Sequence, residues 1–130
     1  MNLAEHLVGS IRSAASVQPE VRALYVFGSQ SRGDARPDSD LDLGVLYRSR
    51  QPLAATLTLE EALERIAGMK VNLVDAARAG AFLALDIVRG DRVFCRESIE
   101  TDRFELYVLR RAGDLLPFER QRQALLLSAR

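Results

Sequence analysis

The pair Gly28-Ser29, followed after ten residues by Asp40-Leu41-Asp42, constrains this chain more than any other feature of it. Apolar runs stand on both sides, Leu24 to Phe27 before and Leu41 to Leu46 after. A strand that ends in Gly-Ser presents backbone N–H groups where the chain turns. Gly28 has no Cβ, so an anion can approach the backbone closely. The Ser29 hydroxyl adds a donor, and a helical turn after it would add free N–H groups. Asp40 and Asp42 are one residue apart, so on a strand both side chains share a face, with Cα atoms about 7 Å apart. Two carboxylates so placed can reach one metal ion or bridge two, while Leu41 and Leu43 face the core. Like charges side by side are costly without cations, and magnesium takes a few carboxylates together with phosphate oxygens and water. A Gly-Ser turn alone, or an Asp-rich loop alone, is ordinary turn chemistry. Their conjunction between two strand-like runs points to a nucleoside triphosphate and its metal ions.

Periodicity supplies the frame around that pair. Leu3, Leu7, Ile11 and Ala14 or Ala15 predict a helix over 3–16, closed by Pro19. Val21 to Phe27 and Leu41 to Tyr47 read as strands, and 29–38, punctuated by Gly33 and Pro37, reads as a loop. Pro52 to Ala67 reads as a helix with Leu59, Leu63 and Ile66 on one face, stopped by Gly68. Lys70 to Val74 predicts a third strand, Gly80 to Arg89 a short helix carrying Phe82, Leu85 and Val88, and Arg92 to Cys95 a fourth strand. From about Glu100 onward the pattern is helical, with Phe104, Tyr107 and Val108 on one face and Gly113 and Pro117 dividing it into two pieces. The order α-β-β-α-β-α-β-α predicts an α+β fold, a small mixed sheet of about four strands with flanking helices.

Bulk properties exclude some functions. The 130 residues fit one domain spanning 1–130, with a C-terminal helical segment over about 100–130. The formal net charge is zero, so strong nucleic-acid binding is not expected. No apolar run approaches the roughly 20 residues of a membrane span, and no signal peptide is evident, so the expectation is a cytoplasmic protein with no membrane contact. One cysteine and one histidine give no zinc pattern, and Cys95 reads as a small buried hydrophobe.

The Gly28-Ser29 and Asp40-Leu41-Asp42 signature resembles that of the polymerase-beta-type nucleotidyltransferase superfamily, and more closely the minimal nucleotidyltransferase (MNT) family. Arg32-Gly33-Asp34-Ala35 and Pro37-Asp38-Ser39-Asp40 resemble the family's usual wording between those points, and the likeness extends to the Val71 to Asp75 strand and the Gly90 to Phe94 region. The resemblance implies a nucleotidyltransferase fold. ATP would bind as substrate with its phosphates at Gly28, Ser29 and Arg32, and Mg²⁺ would sit on Asp40 and Asp42 as the catalytic and metal-binding pair. An acceptor hydroxyl would attack the α-phosphate and release pyrophosphate. Many members of the family are antitoxins of helical HEPN toxins, and some transfer AMP to a tyrosine of the toxin and neutralise it. The resemblance is compatible with a homo- or hetero-oligomer.

The chain departs from the family at one place. A third carboxylate usually stands on the strand that here reads Val71-Asn72-Leu73-Val74, and the matching position is Asn72. An amide can neither accept a proton nor contribute charge to a metal, though its carbonyl oxygen can accept hydrogen bonds. Asp75 lies three residues on, which sends it to the opposite face of a regular strand, where it reads as a cap of the following turn. Asp91 and Glu97 have no motif to place them. Arg32 reads either as a triphosphate contact or as a solvated loop arginine, Arg36 as the latter, and Ser39 as a local loop bond. Three functions follow: an adenylyltransferase antitoxin, a catalytically impaired protein that neutralises its partner by binding alone, and, less favoured for want of a further domain, a small-molecule modifying transferase. Leu125 to Leu127 read equally as a helix packed on its own core and as a partner-binding face.

Overall fold

The computed structural model describes residues 5–28 and 40–128. Helix α1 (Glu5–Ser16) leads into strands β1 (Val21–Phe27) and β2 (Leu41–Tyr47), followed by α2 (Leu53–Ala67), β3 (Val71–Asp75), α3 (Ala81–Val88), β4 (Asp91–Cys95) and α4 (Ser98–Ser128). The sheet order is β3-β2-β1-β4. Strand β1 runs antiparallel to β2 and β4, and β2 runs parallel to β3. This is the predicted α+β order with a mixed four-stranded sheet.

The central strands β1 and β2 are buried on both faces, which is why their sequences are nearly unbroken apolar runs. One face carries Leu41, Leu43 and Val45 of β2 with Leu24 and Val26 of β1, covered by Val8, Ile11 and Ala15 of α1 and by Leu59 and Leu63 of α2. The other carries Ala23, Tyr25, Phe27 and Leu46, covered by Ile87 of α3 with Phe104 of α4 at its margin. A register shift between Val21 and Ala23 lets β1 change which residues face which side.

Strand β3 lies at a sheet edge, and its outward backbone is occupied from within the chain. Glu64 Oε2 accepts the Val71 N–H at 3.3 Å and Glu60 Oε2 accepts the Leu73 N–H at 2.8 Å. Carboxylates on those donors block strand addition at this edge. Helix α2 ends as its sequence predicts, with Gly68 left-handed at φ 68° and its N–H on the Glu64 carbonyl.

Four expectations change. Gly113 and Pro117 do not divide the last helix, which runs unbroken through Pro117. Residue 113 is four before the proline, where a ring would crowd the carbonyl. Helix α3 buries Ala81, Ala84 and Ile87 and leaves Phe82 at the surface. A Cβ at Gly44 of β2 would collide with Ile87, so glycine in the strand and alanines on the helix bring the two together. Ile66 is 42% exposed because the contact of α2 runs through Leu59 and Leu63. Cys95 is half-buried, with its thiol on Thr101 Oγ1 at 3.5 Å.

Candidate active site at one end of the sheet

The register brings the signature residues together. Phe27 pairs with Asp42 across β1 and β2, and Asp42 pairs with Asn72 across β2 and β3. Gly28, Asp42 and Asn72 therefore form a row across three strands at one end of the sheet. Gly28 adopts φ 71°, which glycine alone takes without strain. A Cβ there would run into Oδ2 of Asp42. The bend and the carboxylate are in direct proximity, and only glycine permits it.

Asp42 is half-buried on the face opposite Leu41 and Leu43, as alternation requires. Asp40 stands two residues earlier, at the exposed entry to β2, and the Leu41 N–H donates to the Lys70 carbonyl at 2.8 Å to fix that entry beside β3. Asn72 is exposed, and its Nδ2 donates to Asp42 Oδ1 at 3.2 Å. The amide is uncharged and meets Asp42 as a hydrogen-bond donor. Among the described residues no group of three or more carboxylate, histidine or cysteine side chains could hold a metal ion. Two aspartates of one strand beside an uncharged amide nevertheless fit magnesium, which needs few carboxylates when phosphate oxygens complete its shell.

Ser29, Arg32, Arg36 and Ser39 lie outside the described residues. Asp75 takes the expected other side of β3. Its Oδ1 accepts the Ala77 N–H at 3.2 Å and its Oδ2 lies 3.4 Å from Arg78, so it caps the turn after the strand. Glu97 is a structural anion between Arg22 at 2.9 Å and Arg48 at 3.1 Å, and the hydrogen bond from Arg22 holds its carboxyl below the usual range. Asp91 pairs with Val26 in register, at the same end of the sheet as Gly28. Gly90 opens the Gly90 to Phe94 region that resembles the family. In the fold a Cβ at Gly90 would collide with the Val26 carbonyl and press on Phe27, so this glycine lets the chain pass close behind the bend. A glycine just before a strand is its only local signal.

A sequence profile described as polymerase beta, nucleotidyltransferase matches residues 10–99. The chain belongs to that nucleotidyltransferase family. It is 38% identical over 69 residues to the protein adenylyltransferase MntA of Thermococcus cleftensis, a match spanning 53% of this chain and 70% of that one. Its fold resembles a chain in a crystal structure of a toxin–antitoxin with AMP-PNP, at TM-score 0.74 and 22% identity, covering 94% of this chain and 97% of the other. It also resembles a chain in a structure of the tri-AMPylated Shewanella oneidensis HEPN toxin in complex with MNT antitoxin, at TM-score 0.70 and 20% identity, covering 96% and 97%. Among the described residues no helix is long and apolar enough to cross a membrane.

Proposed function

We propose that this chain is a minimal nucleotidyltransferase domain over 1–130 that acts as an antitoxin in the cytoplasm, transferring AMP from Mg-ATP to a tyrosine hydroxyl of a helical HEPN-type toxin. The row Gly28, Asp42 and Asn72 at one sheet end carries the reading. The match to MntA and the fold shared with MNT antitoxins support the acceptor and the partner.

In this reading the left-handed bend at Gly28, with Ser29 and Arg32, cradles the phosphates, and Asp40 and Asp42 hold magnesium against them. Magnesium, when bound, supplies charge neutralisation and alignment of the triphosphate. Asn72 orients Asp42 through its 3.2 Å bond rather than removing a proton. The acceptor oxygen bonds to the α-phosphorus, the bond to the pyrophosphate breaks, and the hydroxyl proton passes to water. A phenol suits a site without a third carboxylate. Its pKa of about 10 puts the phenolate only about 4 kcal/mol uphill at pH 7, within reach of electrostatic help.

The test is incubation with labelled ATP, magnesium and the cognate toxin. Label on a toxin tyrosine, lost with Asp42→Asn, is expected. Asn72 favours one other reading, neutralisation by complex formation alone. That reading predicts unchanged neutralisation without ATP and with Asp40→Asn and Asp42→Asn, and Asn72→Asp is the cross-check, since increased transfer would identify the missing acid.

A further inference from the structure

The chain has three tyrosines, and they differ sharply in access. Tyr25 and Tyr47 are buried at 1% and 8% exposure, whereas Tyr107 on α4 is 59% exposed. Helical spacing places Arg103 and Arg111 one turn before and one turn after Tyr107 on the same face. Both arginines are exposed. Beside the phenol a cavity of about 360 Å³ opens between α3 and α4, floored by Ala81 and Ala84, walled by Phe104 and Tyr107, and edged by the same two arginines.

We propose that Tyr107 is itself an adenylylation acceptor, modified by another copy of this chain. The inference rests on the nucleotidyl-transfer reading above. The Tyr107 oxygen bonds to the α-phosphorus of ATP, the bond from that phosphorus to the pyrophosphate oxygen breaks, pyrophosphate leaves, and the phenol proton passes to water. The product fits its surroundings. Its phosphodiester is an anion between two guanidinium groups, which bind phosphate in a fork. Its adenine is a flat apolar group beside an alanine floor and the Phe104 ring. Tyr25 and Tyr47 offer no such access.

The cavity and the carboxylate end lie apart along the sheet. Asn72 lies near the start of β3, and Ala76, which lines the cavity, follows its end. Four strand steps separate them, about 13 Å, and a second copy can bring its own Asp42 end to the exposed phenol.

The experiment incubates the full chain with Mg-ATP, digests it with trypsin and weighs the peptide 104–110, in which Tyr107 is the sole tyrosine. A gain of one adenylyl group is expected, absent in Tyr107→Phe. Mixing an Asp42→Asn acceptor copy with a Tyr107→Phe donor copy should label the acceptor copy. Arg103→Gln with Arg111→Gln should lower the yield about fivefold, the effect of two exposed charge contacts. That variant is read on the longer peptide 97–110, since it lacks the cleavage site at 103. Label on the cognate toxin with none on 104–110 overturns this inference and leaves the function above standing. Label elsewhere in the chain also overturns it, and label on neither protein overturns both. Tyr107→Phe should leave toxin labelling unchanged.

Discussion

On one side of the sheet, Leu41, Leu43 and Val45 share a cluster with Ile11 of α1 and Leu63 of α2, all at 0% exposure. On the other side, the same strand offers Asp42, Gly44 and Leu46 to a layer of small residues, a cavity and a polar network. There Tyr25 donates its hydroxyl to Glu105, and Arg92 joins Glu105 at 2.9 Å and Asp102 at 2.8 Å. The first side is a closely packed apolar cluster between the sheet and helices α1 and α2. The second holds α3 and α4 by a few specific contacts and leaves the carboxylate end and the Tyr107 groove open. Both faces of the sheet are packed, and the alternation of one strand leaves Asp42 on the more open of the two.

The largest expected effect lies on the open side. Asp42→Asn should lower AMP transfer about 10³-fold with an unchanged thermal midpoint, read by labelled-ATP transfer and melting. Next, Leu63→Ala on the first side should cost about 2–5 kcal/mol in urea unfolding. A loss no greater than that of a surface change would break the contrast. Gly44→Ala forces a methyl into Ile87 and should cost about 1–3 kcal/mol. It also displaces α3, so near-native stability would show that α3 packs loosely on the strand.

Tyr25→Phe should cost about 1–2 kcal/mol, because Glu105 keeps Arg92 but loses the phenol. Burial first, and the Glu105 bond second, push the Tyr25 phenol up, and burial pushes Tyr47 up as well. A raised pKa means that the protonated phenols contribute stability fully present below about pH 10, the unfolded value, and lost as pH rises further. Ultraviolet titration should show these two phenols resisting ionisation past pH 10 until the protein unfolds. The smallest effect belongs to the end of α4. Leu125, Leu126 and Leu127 are exposed, and among the described residues none after Ala112 is buried. Leu126→Ala should change stability by no more than about 0.5 kcal/mol, because the run does not pack on the core as one of its two readings required.

The elements were legible where burial follows a simple period. Strands β1 and β2 match their apolar runs residue for residue, since both strands are central and need apolar side chains on each face. The buried side of α3 was not legible, because Phe82 and Leu85 outweigh Ala81 and Ala84 in any hydrophobic count. The helix turns its alanines inward only because Gly44 faces it. Nor was the unbroken α4, since a proline reads as a stop wherever its neighbours are unknown.

The sequence by itself determined the order of elements, the marking of Gly28 and Asp42 as site residues and the reading of Asp75 as a cap, because strand alternation and glycine's conformational freedom are local properties of a few residues. Only the tertiary structure decided that Gly28 meets Asp42, that Asn72 bonds Asp42, and that Tyr107 is open while Tyr25 and Tyr47 are closed. Those outcomes depend on which surface arrives opposite each side chain, and that is set by strand register and helix packing between residues far apart in the chain.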